Sequence, residues 1–367
     1  MDYISTRDNQ NIFTFRDVFL KSLADDGGLF VPKSIKPFSK DELNNLKSLS
    51  YNELAVEIIN SFIGDFMSKD ELISVISKSY STFRSKNVVK ISELGNLKVL
   101  ELFHGPTLAF KDVAMQLIGN FYQYHLNHHQ KKINIIVATS GDTGAAAIDA
   151  LKGKSNLNVF VLHPNNKISS VQRKLMTIHD ENNVFNIAIE GNFDDCQNLV
   201  KAMFNDEKFS KAINMSGVNS INWARIIAQA VYYFYAYFKV GNDQPLSFSV
   251  PTGNFGDIYA GYLAKKLGLP VDKLIVATNK NDILHRAISG GDYTQKKVEE
   301  TNTPSMDIQI ASNFERLLYD VKDCNSEFTK DVMSKIKNNE YKIDNNDLEK
   351  IKRNFISEML DENETVK

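Results

Sequence analysis

Between about residues 99 and 278 the chain repeats one pattern: a short apolar run, a polar or glycine-bearing loop, then a stretch with helical spacing. The runs at 133–138, 157–162, 184–189, 246–250 and 273–278 are rich in Ile, Val, Leu and Phe, as buried strands are. Helical stretches follow the loops, among them 169–178 and 193–204. Strands joined through a helix run parallel, because the crossover returns the chain to the same end of the sheet. The pattern predicts an α/β fold with parallel sheets covered by helices. A long tyrosine-rich helix at 221–239 divides the repeats. That predicts two parallel-sheet layers with a cleft between them.

The two ends read differently. Residues 15–23 look like a short amphipathic helix, Asp25-Asp26-Gly27-Gly28 is a turn, and Leu29-Phe30-Val31-Pro32 reads as a strand. Ser39-Lys40-Asp41-Glu42 has the form of a capping box, and helices follow at 51–63 and 69–83. No catalytic cluster is visible in 1–85, which reads as a mainly helical packing and dimerisation domain. After Asn281 the strand signal fades: 314–321, 329–337 and 348–360 read as helices, and 361–367 as a polar, frayed tail. The expected division is 1–85, then 86–367. The latter splits into a smaller subdomain (113–215), a larger one (86–112 plus 216–310) and a helical end (311–367).

A chain of 367 residues holds two or three domains. Its net charge of -2 gives no case for nucleic acid or an anionic membrane as partner. Cys196 and Cys324 lie far apart in sequence, which fits a reducing cytoplasm better than a disulfide framework. The first ten residues carry Asp2, Arg7 and Asp8 and no apolar core, so they do not read as a signal peptide. The longest apolar run, 226–238, contains Gln229 and many tyrosines, and reads as a buried helix rather than a membrane span. His125 and His129 have i, i+4 spacing, but no carboxylate of the metalloprotease pattern accompanies them, and no metal is expected.

Three segments carry chemistry. His104-Gly105-Pro106-Thr107-Leu108-Ala109-Phe110-Lys111-Asp112 is a turn leading to a lysine at a helix start. Leu108, Ala109 and Phe110 form an apolar wall, which should lower the Lys111 pKa and free its amine to condense with an aldehyde. Asp112 suits the first turn of that helix. Pro251-Thr252-Gly253-Asn254-Phe255-Gly256-Asp257 joins a strand to a helix. Its glycines can turn N–H groups inward and the helix start adds positive potential, a cradle for phosphate or a plain turn. Without a Gly-Lys-Ser/Thr ending it is not an ordinary P-loop. Thr139-Ser140-Gly141-Asp142-Thr143-Gly144 is a second loop of this kind. His104 could also line a site near the lysine.

Taken jointly, these segments resemble threonine synthases, pyridoxal 5'-phosphate (PLP) enzymes of fold type II, related to the tryptophan synthase β fold. The resemblance covers about residues 1–310, and Asp26-Gly27-Gly28-Leu29-Phe30-Val31-Pro32 is similar to the N-terminal region of bacterial members. It implies that Lys111 carries PLP and that the N–H groups of Thr252, Gly253, Asn254, Phe255 and Gly256 hold the cofactor phosphate. It implies that Ser140, Asp142 and Thr143 grip a substrate carboxylate. It also implies a cytoplasmic, monomeric or homodimeric lyase of threonine biosynthesis, converting O-phospho-L-homoserine and water to L-threonine and phosphate. The substrate phosphate then needs a cation. In Asn219-Ser220-Ile221-Asn222-Trp223-Ala224-Arg225, a family-like segment, Arg225 offers a bidentate fork with Ser220 beside it. Lys167, Arg173 and Lys174 are alternatives or a solvated helix face. Rival readings are another fold type II lyase, such as threonine dehydratase, and a catalytically impaired PLP-binding homologue. Family members continue past the helix near residue 350. The resemblance therefore implies that the larger sheet lacks a closing strand and the cofactor ring nitrogen its polar partner.

Overall fold

The computed structural model describes residues 1–129, 131–241 and 244–366. At the N-terminus β1 (Tyr3–Ser5) pairs antiparallel with both β2 (Asp8–Phe13) and β3 (Phe30–Pro32), with α1 (Phe15–Lys21) between the latter two. Then come α2 (Lys40–Leu46), α3 (Tyr51–Ile63) and α4 (Lys69–Tyr80). Ser39, Ser50 and Ser68 open these three helices as reciprocal capping boxes with Glu42, Glu53 and Glu71. Each such cap contributes about 1 kcal/mol, so the helix starts are set locally.

The antiparallel hairpin of β4 (Lys90–Leu94) and β5 (Leu97–Glu101) leads to α5 (Lys111–His128). Next in order are β6 (Ile133–Ala138), α6 (Asp142–Leu151), β7 (Leu157–Pro164), α7 (Ser170–Thr177), β8 (Val184–Ile189), α8 (Phe193–Asn205), α9 (Glu207–Ala212) and β9 (Met215–Ser216). Their strands form one sheet in the order β8-β7-β6-β9, parallel throughout. The chain continues through α10 (Trp223–Val240), β10 (Leu246–Pro251), α11 (Gly256–Lys266), β11 (Val271–Thr278), α12 (Ile283–Gly290), α13 (Phe314–Val321), α14 (Ser326–Lys337) and α15 (Asn345–Lys352). It ends with β12 (Phe355–Met359) and α16 (Glu362–Val366). The second parallel sheet has the order β10-β11-β12. Two parallel layers are thus present, as the alternation predicts.

The stretch 348–360 is not one helix. It breaks after Lys352, and β12 pairs with β11 in the register Leu274↔Phe355 to Thr278↔Met359. Leu348, Ile351 and Phe355 are all buried, which imitates helical spacing across the break. As an edge strand, β12 buries Phe355 alone and leaves Ile356 and Met359 exposed, so its own period is faint. The reading of 348–360 as one helix is therefore overturned, and the larger sheet gains a strand after Thr278. The expected frayed tail instead contains α16; Lys367 lies outside the described residues.

α10 is buried at every position from Trp223 to Tyr237, as an all-round apolar helix must be. Among the described residues no helix is long and apolar enough to cross a membrane. Phe15 and Phe19 of α1 meet Phe66 and Phe121 with edge-on rings at 5.3–6.0 Å. Each such pair adds about 0.5–1.5 kcal/mol beyond area burial. This cluster fastens the N-terminal unit to α5, the helix that begins with Lys111. The loops after β6 and β10 both leave the carboxyl ends of parallel strands, where ligands bind in open α/β sheets.

Candidate active site

The turn before α5 is held by Asp112. Its carboxylate accepts the Thr107 N–H at 2.8 Å and the Thr107 hydroxyl at 2.6 Å. A Cβ on Gly105 would stand 2.4 Å from Asp112 Cβ, so only glycine fits there. Burial pushes the Asp112 carboxyl above its ordinary range. The residue holds the turn and is fully buried, rather than facing the helix end as a simple dipole partner. The turn delivers Lys111 Nζ to 2.9 Å from Asp142 Oδ2, 3.4 Å from Ser305 Oγ and 4.6 Å from the Phe110 ring centre. Burial lowers the Lys111 pKa below its ordinary 10.5, against the opposing pull of Asp142. The direction is the expected one, but the wall differs. Leu108 is 49% exposed, and of that trio only Phe110 lines the cavity around Lys111.

In the loop after β10, Phe255 takes the left-handed conformation (φ +63°) and caps α11. The Thr252 N–H already donates to Ala277 C=O at 2.8 Å, so it belongs to the sheet rather than to an anion. The N–H groups of Gly253, Asn254 and Phe255 have no hydrogen-bond partner among the described residues. A Cβ on Gly253 would lie 2.6 Å from Ser305 C=O, so the backbone there approaches the 304–306 turn as only glycine allows. Asp257 follows, accepting hydrogen bonds from the Tyr232 and Tyr233 hydroxyls; burial raises its pKa.

The loop after β6 is committed differently. Thr139 Oγ1 accepts the N–H groups of Gly141 and Gly144 at 2.9 and 2.8 Å. Gly141 sits at φ +140°, with the Gln172 side chain against it. Asp142 takes Lys111, the Ser305 hydroxyl at 2.8 Å and Gln172 Nε2 at 2.5 Å. Burial would raise its pKa, but Lys111 and these hydrogen bonds outweigh it and hold the carboxyl below its ordinary range. Ser140, Asp142 and Thr143 all line the cavity.

Arg225 and Ser220 line the same cavity. Arg225 is 4% exposed, donates from Nη1 to Val218 C=O at 3.3 Å, and leaves Nε without a partner among the described residues. Burial lowers its pKa to about 10. Lys167, in the loop before α7, and Arg173 and Lys174, on the helix that turns only Met176 fully inward, are exposed and do not line the cavity. His104 bonds Glu101 at 2.9 Å, away from the cavity lining. The His125 and His129 rings lie 4.5 Å apart at a tilt of 37°, and no group of three or more metal-binding side chains occurs among the described residues.

Several site residues escaped the sequence reading. Arg7 and Lys21 bring the N-terminal unit into the cavity wall, so that unit does more than pack. Glu315 clamps Arg7 through two bonds of 2.8 and 2.9 Å and accepts the Thr6 hydroxyl at 2.6 Å. Ser305 and the segment around it roof the cavity. Asn313 and Arg316, both fully buried, stand behind the loops. Their one sequence signal was an arginine set beside the apolar stripe of 314–321.

All this surrounds a cavity of about 780 Å³, a volume suited to a cofactor with a small substrate. The family described as threonine synthase N terminus matches residues 2–80, and that described as pyridoxal-phosphate dependent enzyme matches 86–329. The threonine synthase of Pseudomonas aeruginosa is 47% identical over 339 residues, covering 92% of this chain and 72% of its own length. That of Saccharomyces cerevisiae is 42% identical, covering 99% and 76%. The crystal structure of PLP-bound threonine synthase from Brucella melitensis superposes with a TM-score of 0.95 at 46% identity, covering 100% of this chain and 79% of that one.

Proposed function

The chain belongs to the threonine synthase family of PLP-dependent enzymes, and on that premise we propose that it converts O-phospho-L-homoserine and water to L-threonine and phosphate. One observation carries the reading of the site. A buried lysine, a loop with three unengaged N–H groups and a buried arginine with a free Nε line a single cavity.

The residues present fit the cofactor. Unpaired N–H groups at Gly253, Asn254 and Phe255 suit a phosphate, and Lys111 suits its aldehyde. These residues would hold PLP; when bound, it supplies an electron sink for charge developing beside the substrate's amino group. Lys111 Nζ then moves protons at the substrate's Cα and beyond, as general base and acid, which its lowered pKa favours. Ser140 and Thr143 orient the substrate carboxylate from the start of α6. Arg225, with Ser220 beside it, holds the phosphate that leaves from Cγ. Its guanidinium stays charged at neutral pH even with a pKa of about 10. The roof formed by 302–310 and the wall formed by Arg7 limit water to what the addition at Cβ requires.

The division into 1–85 and 86–367 and a monomeric or homodimeric state belong to the same proposal. So does a cytoplasmic location, which fits two unpaired cysteines. The test is to incubate the purified chain with PLP and O-phospho-L-homoserine and to assay threonine and phosphate together. Both should appear in equal amounts. Phosphate without threonine, or 2-oxobutanoate in its place, would replace this reading with a dehydratase-type one.

A further inference from the structure

We infer that Asn313 is a positioning residue that aims one backbone N–H of the cofactor-phosphate loop and one of the Ser220–Arg225 segment into the cavity. The inference rests on the PLP reading above. It starts from one buried amide. Asn313 is 0% exposed, and besides the Arg316 N–H that its C=O accepts it makes four hydrogen bonds. Its N–H and its Nδ2 both donate to Asn254 C=O, at 3.1 and 3.0 Å. Nδ2 also donates to Ser220 C=O at 3.2 Å. Its Oδ1 accepts from Arg316 Nη1.

Arg316 decides which way the amide faces. It is fully buried, and it donates from Nε and Nη2 to Phe30 C=O at 3.1 and 3.0 Å and from Nη2 to Ile221 C=O at 2.7 Å. Its guanidinium lies 5.3 Å from the centre of the Trp223 ring. A guanidinium only donates, so Oδ1 must face it and Nδ2 must face the two carbonyls.

The consequence follows from peptide geometry. In a trans peptide the C=O and the next N–H point in opposite directions, and no cis bond occurs among the described residues. Pinning Asn254 C=O to Asn313 turns the Phe255 N–H away from Asn313. Pinning Ser220 C=O does the same for the Ile221 N–H. Neither N–H has a partner among the described residues, and both Phe255 and Ile221 line the cavity. Phe255 also holds a positive φ, which a non-glycine residue keeps only when its surroundings enforce it. A Cβ on Gly256 would stand 3.1 Å from Asn313 Nδ2, so the helix start is fitted closely around this amide. One residue, through its backbone N–H and its side-chain amide, thus sets donors for two anions, the cofactor phosphate and the substrate phosphate.

The experiment compares PLP with pyridoxal, which has the aldehyde but no phosphate, binding to the full wild-type chain and to Asn313→Ala and Asn313→Asp. The aspartate keeps the size and the Arg316 partner but loses the Nδ2 donor. Aimed N–H groups act on the phosphate alone. Both variants should therefore bind PLP about tenfold more weakly and change pyridoxal affinity less than about twofold. Parallel loss of both affinities would make Asn313 a packing residue and overturn the inference. Unchanged PLP affinity would overturn it too. A wild-type chain with no preference for PLP over pyridoxal would overturn both the inference and the reading beneath it. Should the variants not fold, wild-type amide spectra decide. The Phe255 N–H should shift on PLP addition, and the Ile221 N–H on adding inorganic phosphate to the PLP-loaded chain. Two unmoved signals would sink the idea.

Discussion

The loops 139–144 and 251–257 look alike in sequence and differ in the structure. Each leaves a parallel strand, carries glycines and opens a helix. In 251–257 the anchor comes from behind, through Asn313, and three N–H groups stay free. In 139–144 the anchor is the loop's own Thr139, and the charge at the helix start belongs to Asp142, already paired with Lys111. Both loops leave three N–H groups without a partner among the described residues, those of Gly253, Asn254 and Phe255 in the first and of Ser140, Asp142 and Thr143 in the second. The loops differ in what anchors them and in how the neighbouring carboxylate is engaged, Asp257 by Tyr232 and Tyr233 and Asp142 by Lys111. The first loop is ready for a phosphate. The second offers Ser140 and Thr143 to a carboxylate only beside a carboxylate of its own, which Lys111 must balance.

The comparison can be broken at several points. The largest effect belongs to Lys111→Ala, which removes the amine between the loops. Threonine formation should fall about 10²–10⁴-fold or more, while inorganic phosphate still binds at 251–257, as read by phosphorus NMR. Loss of phosphate binding as well would mean that the first loop is not self-sufficient.

Arg225→Ala should come next, with kcat/KM for O-phospho-L-homoserine down about 10- to 150-fold. Affinity for homoserine, which lacks the phosphate, should hold. An equal drop for both ligands would place Arg225 at the carboxylate end.

Two alanine substitutions then sharpen the contrast between the loops. Gly253→Ala forces a Cβ against Ser305 C=O, and Gly141→Ala strains a residue at φ +140°. Each should cost about 1–3 kcal/mol in urea unfolding. The first should weaken PLP binding with little change in substrate KM, and the second should do the reverse. The same profile for both would erase the distinction.

The smallest effect is a pH shift. Asp142 raises the Lys111 pKa against the dominant lowering by burial. Asp142→Asn removes that support, so the amine becomes neutral at a lower pH. The midpoint of PLP incorporation into the apo chain, followed by absorbance, should move to lower pH than in wild type. A move upward would mean that Asp142 does not face the charged amine in solution.

The strand–loop–helix alternation, both loops and Lys111 were legible because each rests on local pattern: apolar period, glycine position, or a lysine at a helix start. Arg225 came only through the family-like segment around it. The strand Phe355–Met359 was not. Only one of its side chains is buried, and Leu348, Ile351 and Phe355 together imitate a helix. Charge alone singles out Lys167 and Lys174, and charge does not say whether a residue on α7, or in the loop before it, faces the cleft.

Local sequence is enough to specify parallel sheets and loops that bring a lysine and glycine turns to strand ends. Those outcomes follow from side-chain period and backbone freedom within a few residues. Which N–H groups remain free is set by contacts between segments far apart in the chain. That depends on partners such as Asn313, which lies 59 residues from Asn254 and 93 from Ser220 in the chain. It depends equally on Arg316, which ties Phe30 of the N-terminal unit to Ile221 beside the site. A hydrogen bond in a buried site is an exclusive commitment: each donor spent on a distant carbonyl is lost to a ligand, and each carbonyl pinned turns its neighbouring N–H the other way.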